Sequence, residues 1–237
     1  TAAIDVGTIP GRNGGVAILT RTAPAAVRTW LTHPPKARGL NAFAHEGRYV
    51  EVDLADRPLT VANIYLPKGG LPAELQRPGS MREKPDGGAK HARKQRFLAG
   101  GSPANCSATG SRHNAPGGSS CYSVTSTSPI SNTTVTNWRA ARKMEGFLPE
   151  EREWFGEITG PRRLVDVVRA LHGDRPGPLT WWSWAGESFV KDVGWRIDHH
   201  LATPGLARRA QRVEVDKEPA PELRLSDHAP LVVEYAE

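Results

Sequence analysis

Gly194-Trp195-Arg196-Ile197-Asp198 and Leu225-Ser226-Asp227-His228-Ala229-Pro230 are the stretches on which the reading of this chain turns. Each opens a strand pattern: one from Trp195 to about Ala202, the other, the last in the chain, from Ala229 to Tyr235. A histidine beside a carboxylate, just before a terminal strand, suits a catalytic site. A second carboxylate upstream would hold that histidine in one tautomer. A general base, an orienting acid and a metal-binding oxygen together suit phosphoester hydrolysis. The same residues also have a plain structural reading, with Asp227 and His228 capping a turn and Asp198 as an edge-strand charge.

Working upstream, Thr180-Trp181-Trp182-Ser183-Trp184 reads as an aromatic strand. Leu164, Val167, Val168 and Leu171 follow helical spacing, and Gly173 ends that helix. Phe147-Leu148-Pro149-Glu150-Glu151-Arg152 opens another helix, with proline at its first position and glutamates at its positive end. Trp154, Phe155 and Ile158 form its apolar stripe, and Gly160-Pro161 stops it.

Arg48 to Leu66 alternates as a hairpin around the turn Ala55-Asp56-Arg57-Pro58, and Tyr65 sits at the C-terminal end of its second strand. Tyr65 reads equally as ordinary strand packing. Gly15 to Leu19 follows the turn Asn13-Gly14 as a buried strand, and residues 22–47 read as loop with at most one short element. Residues 77–96 are basic and suit either a phosphate-gripping loop before a helix near Lys90 or a solvated loop. Residues 100–135 are rich in Gly, Ser, Thr, Asn and Pro and hold no evident core element.

Mixed strands and helices over 237 residues imply an α/β or α+β sandwich. The formal net charge of +6 suits a polyanionic partner such as nucleic acid, or simply a basic surface. No apolar run of membrane-spanning length and no secretory pattern occur, so no membrane partner is expected. Two cysteines make no disulfide framework, and a cytoplasmic location is the default expectation.

Several ordered motifs resemble the exodeoxyribonuclease III and AP endonuclease family. They are Gly15-Val16-Ala17-Ile18, Glu46-Gly47-Arg48, Asn63-Ile64-Tyr65-Leu66-Pro67, Lys94-Gln95-Arg96-Phe97, Gly146 to Arg152, Thr180-Trp181-Trp182 and the two opening stretches. The likeness covers about residues 12–99 and 136–237. Asp198-His199-His200 also spells the triplet of the DHH phosphoesterases, without an upstream paired-aspartate motif.

The resemblance implies an α/β four-layer sandwich of two mixed sheets flanked by helices, forming one domain over 1–237. It implies a magnesium-dependent DNA hydrolase of base excision repair, with manganese as a possible substitute. Its partner would be double-stranded DNA with abasic sites or 3′ ends, met by a monomer. By position, His228 resembles the catalytic histidine, Asp198 its orienting carboxylate, Tyr65 a phosphate-contacting tyrosine and Asp227 a metal ligand. Trp181, Trp195 and Ile197 resemble the walls of a pocket for a flipped-out abasic sugar, and Arg196 and Lys94 further substrate contacts. Strict alternation sets Asp198 on the face opposite Trp195 and Ile197, so Trp195 is expected at the strand mouth.

Two family parts are missing. One is an N-terminal strand pair with an asparagine and the metal-binding glutamate, so the chain is expected to be truncated. The other is a central Gly-Asp-x-Asn strand. Written as TGC TAC TCG GTG ACC TCA ACA TCG CCC ATA, the codons of Cys121 to Ile130 read from the third base as Leu-Leu-Gly-Asp-Leu-Asn-Ile-Ala-His. Paired frameshifts across about Gly101 to Thr134 are therefore expected, leaving that segment aberrant or disordered and Cys106 and Cys121 without function. Impaired activity follows. The rival readings are an inactive DNA-binding remnant, a hydrolase of RNA or phosphoinositides with the same fold, and a misfolded product.

Overall fold

The computed structural model describes the chain except residues 12–13, 36, 78, 80–83, 102–118, 126–131 and 161. Its strands are β1 (Ala2–Val6), β2 (Gly15–Leu19), β3 (Ala26–Thr29), β4 (Tyr49–Asp53), β5 (Leu59–Tyr65), β6 (Ser119–Thr125), β7 (Val165–Asp166), β8 (Asp198–Ala202), β9 (Ala210–Val215) and β10 (Leu231–Tyr235). The helices are α1 (Ala89–Leu98), α2 (Trp138–Ala141), α3 (Pro149–Ile158), α4 (Val167–His172) and α5 (Pro204–Ala207).

A six-stranded mixed sheet in the order β3-β4-β5-β6-β8-β7 is the centre of the fold. Period-two alternation splits its side chains between two faces. One face sends Tyr49, Ala62, Ile64, Tyr122, Val124 and Leu201 into the main core, where Phe97 and Leu98 of α1 and Trp154, Phe155 and Ile158 of α3 cover them. The opposite face carries two antiparallel hairpins. β1–β2 packs Ala3 and Val16 on Val50 and Val52. β9–β10 sets Val233 and Tyr235 against a cluster that includes Cys121 and Ala202.

The expected α/β sandwich with flanking helices is present: among the described residues one layer is the mixed sheet, and the second strand layer is two separate hairpins. Among the described residues no strand lies between them to carry the hydrogen bonds of a continuous sheet.

Within the 101–134 segment expected to be aberrant, residues 102–118 and 126–131 lie outside the described residues, and the part between them departs from expectation. Ser119–Thr125 is a central strand, parallel to β5 and antiparallel to β8. Its serines and threonine mask a period-two pattern in which Tyr122 and Val124 face the main core. Two ordered neighbours supply every ladder bond, so weak strand formers are tolerated there. Cys106 lies outside the described residues.

Smaller differences have local causes. Residues 22–47 hold both β3 and a 3-10 helix at Arg38–Phe43. The helix expected from Leu164 begins at Val167, because Asp166 caps it by accepting from the Arg169 N–H at 3.1 Å. Thr180 to Trp184 forms only single bridges, to Trp195 and His228.

Candidate active site

The sheet brings three strand ends together. Tyr65 closes β5 and pairs with Thr125, which closes the parallel β6. Thr125 in turn pairs with Asp198, the first residue of β8. Side-chain parity puts all three on the face that bears the hairpins.

His228 arrives from the other side, three residues before β10. Its backbone N–H donates to Ser226 Oγ at 3.0 Å, the next N–H, of Ala229, donates to the Thr180 carbonyl at 2.9 Å, and Trp181 bridges to His228. These bonds aim the imidazole at Asp198. His228 Nδ1 lies 2.8 Å from Asp198 Oδ2.

The acceptor is itself held. Thr180 Oγ1 donates to Asp198 Oδ2 at 2.7 Å and accepts the N–H groups of Ile197 and Asp198, both at 3.2 Å. Thr125 Oγ1 donates to Asp198 Oδ1 at 3.2 Å. A carboxylate engaged on both oxygens keeps the donor proton on Nδ1 and leaves Nε2 for substrate. Burial pulls the His228 pKa down, but the hydrogen bond and charge of Asp198, with the charge of Asp227, outweigh it and leave the imidazole above its ordinary value.

Trp181 and Trp195 come together beside this pair. The two indoles meet edge to face with centroids 6.2 Å apart, and Ile197 is buried. Trp195 lies outside β8, at its mouth, as alternation required. Gly194 permits this geometry, since a Cβ there would meet the Trp181 carbonyl at 2.5 Å and the Trp182 indole at 2.8 Å. Tyr65 is 38% exposed, and the Arg48 guanidinium stands 5.5 Å from its ring centre.

Two expected substrate contacts are corrected. Lys94 is buried and ion-paired with Glu151 at 2.6 Å, because its helix turns that side chain into the main core. Arg196 is buried as well. It donates to both oxygens of Asp166, at 2.8 and 3.2 Å, and so fastens the approach to β8 to the start of α4. Neither cation reaches the site surface. Elsewhere in the basic stretch, Lys90 and Arg96 are exposed, Arg93 pairs with Glu46, and Arg82 lies outside the described residues.

The donor set for a divalent ion is thin. Asp198 is committed to His228 and two threonines. Asp227 gives one oxygen to the Trp181 indole N–H at 2.8 Å. Among the described residues no three His, Cys, Asp or Glu side chains converge. Hard cations need several oxygens, so the described residues do not by themselves make a magnesium site. Asp227, the expected ligand, is thus a single donor where such an ion needs several.

Residues that the motif reading passed over are Thr180 and Thr125. Thr180 carried a signal, since it opens Thr-Trp-Trp; Thr125 carried none, because only the pairing of β6 with β8 brings it to Asp198.

Known proteins share part of this sequence and its fold. The sequence model of the Endonuclease/Exonuclease/phosphatase family matches residues 104–228, ending on the site histidine. An exodeoxyribonuclease of Streptococcus pneumoniae (serotype 4) is 31% identical over 101 residues, 42% of this chain and 35% of that protein. Recombination repair protein 1 of Drosophila melanogaster is 32% identical over 91 residues, 38% of this chain and 13% of that protein. The matched part is thus about a third of the exodeoxyribonuclease's length.

Among solved structures, an AP endonuclease from Archaeoglobus fulgidus superposes with a TM-score of 0.71 at 20% identity, covering 99% of this chain and 79% of that one. The 3′ phosphatase NExo from Neisseria, bound to a product DNA hairpin, gives 0.71 at 22% identity, covering 93% and 74%. These two likenesses carry the fold, a mixed sheet with flanking helices. Because the family match spans more than half of the chain, the protein belongs to the Endonuclease/Exonuclease/phosphatase family.

Proposed function

We propose that this chain is a DNA phosphodiester hydrolase of the exodeoxyribonuclease and AP endonuclease branch. The observation that carries the reading is the His228–Asp198 pair at 2.8 Å beside the edge-to-face Trp181–Trp195 pair. Asp198 holds the imidazole in one orientation and supports its positive charge. His228 Nε2 then binds a phosphoryl oxygen, or moves a proton at it, as charge builds in the displacement. Tyr65, at the end of β5, offers a hydroxyl to the same phosphate. The two indoles and Ile197 form an apolar wall that accepts a sugar without a base and excludes water. Relatives of this family generally use divalent metals, and magnesium is the expected ion here. Its chemistry would be to stabilise developing charge on the phosphoryl and leaving oxygens. Asp227 would be one of its ligands.

The test is incision of a duplex carrying one abasic site by the 237-residue chain, with magnesium and then with EDTA, beside His228→Ala. Slow, impaired cutting that needs magnesium and disappears in the variant is expected. Absence of cutting, or cutting that survives His228→Ala, would sink the reading. Salt-dependent binding without incision would instead favour the DNA-binding remnant.

A further inference from the structure

A basic aromatic element hangs from the same ladder as the candidate site. Val135 bridges to Trp195, Trp195 to Trp181, and Trp181 to His228. Three such steps span about 14 Å at ordinary strand spacing. α2 begins three residues beyond Val135, with Trp138 as its first residue. The Trp138 ring leans on Val135, Ala141 and Phe147, the cluster that also supports Trp195. It is half-buried, so part of the indole faces solvent. The guanidinium carbons of Arg139 and Arg142 stand 4.9 and 5.4 Å from its centre. Arg139, Arg142 and Lys143 are exposed, and among the described residues none of them has a carboxylate partner. Elsewhere on the surface, arginines such as Arg57 and Arg212 are matched to acids.

We infer that Trp138, Arg139, Arg142 and Lys143 form a stacking platform for an unpaired nucleotide flanking the scissile phosphate. The inference rests on the phosphodiester-hydrolase reading for its location, while its chemistry is separate. A cation over an exposed aromatic ring is worth about a 2- to 5-fold preference. A nucleobase stacked on the same ring is worth about 5- to 150-fold. A base therefore displaces the guanidiniums. They remain charged and without carboxylates, and swing to the flanking phosphates, where paired N–H donors match phosphate oxygens. A platform of this kind selects frayed or single-stranded DNA beside the cut, because a base inside a closed duplex presents no face to it.

The test is fluorescence anisotropy of the full chain with a labelled single-stranded oligonucleotide and with a blunt duplex of the same sequence. Trp138→Ala is expected to weaken single-strand binding about 5- to 150-fold and duplex binding much less, and Trp138→Phe to restore most of it. Arg139→Gln/Arg142→Gln is expected to lower the salt slope on single strands by about 1.4, two contacts at about 0.7 each. Circular dichroism of each variant checks that it folds. Equal losses on both DNAs, no loss in Trp138→Ala, or full competition by polyglutamate would overturn the platform. Platform-dependent binding without incision would sink the hydrolase reading alone; incision without Trp138 dependence would sink the platform alone.

Discussion

Lys94 Nζ lies 2.6 Å from Glu151 Oε1, and both side chains are 1% exposed. The pair ties α1 to α3 beneath the main core. Glu151 also accepts the Leu148 N–H at 3.0 Å, so one carboxylate closes the helix start and neutralises the lysine. Removing one partner leaves a buried charge alone, so Lys94→Ala is expected to lower unfolding free energy by about 3–5 kcal/mol in urea titrations. The salt slope of DNA binding should not move. A lysine on a phosphate would instead cut that slope by about 0.9, and such a drop would restore the contact role.

The His228–Asp198 pair makes a pH prediction. Burial lowers the His228 pKa, and the Asp198 bond and charge raise it by more. For a raised histidine, the stability due to the pair is complete below the ordinary imidazole value and fades as pH rises through the folded value. An NMR titration should place the His228 midpoint above that of a free imidazole, and Asp198→Asn should bring it down. An unchanged midpoint would mean that Asp198 is a neighbour and not an orienter. Asp198→Asn is also expected to slow incision by about 10²–10⁴.

His200 makes the opposite prediction. It sits between the sheet and β10, with Nε2 3.0 Å from Cys121 Sγ and 2.7 Å from the Tyr235 hydroxyl. Burial pushes its pKa down to about 4, the charge of Asp166 opposing only in part. A histidine held neutral stabilises the fold above its unfolded pKa, and that stability drains away as pH falls from about 6.5 towards 4. The loss amounts to about 3 kcal/mol. His200→Phe should flatten the profile in that window; an identical acid limb in the variant would assign the instability elsewhere. Burial likewise pushes the Cys121 thiol up to about 12, so slow alkylation of this cysteine in the folded chain is expected.

Thr180 is expected to act as a positioning residue. Thr180→Val removes the 2.7 Å bond to Asp198 and strands two N–H groups. A cost of about 1–3 kcal/mol in stability is expected. Incision should lose kcat more than KM, and Thr180→Ser should recover it. Full activity in Thr180→Val with a loss in Thr180→Ser would make the methyl packing, not the hydroxyl, the relevant feature.

The codon reading of Cys121 to Ile130 yields an aspartate whose codon takes two bases from Thr125, the residue that reaches Asp198 at 3.2 Å. Replacing this stretch by the out-of-frame Leu-Leu-Gly-Asp-Leu-Asn sequence is expected to raise abasic-site incision by about 10² or more, the usual worth of a placed general base. Resequencing the gene is the direct check: one uninterrupted frame with no nearby insertion or deletion removes the hypothesis.

Local chemistry was enough for much of the fold. The hairpin of β4 and β5, the proline-led α3 and the final strand follow from periodicity and caps, which depend on neighbours a few residues away. Gly194 to Asp198 and Ser226 to Pro230 already named the histidine and its carboxylate, and Trp195 at the strand mouth followed from parity. Tertiary structure decided what depends on distant partners. Whether a cation meets solvent or a carboxylate cannot be read from its own neighbours, so Lys94 and Arg196 proved internal. β6 exists because β5 and β8 flank it, not because its Ser-rich sequence favours a strand. Thr125 reaches Asp198 across paired strands 73 residues apart and Thr180 reaches it from a loop 18 residues upstream, and the gap between the two hairpins is a matter of hydrogen bonding that no local pattern records.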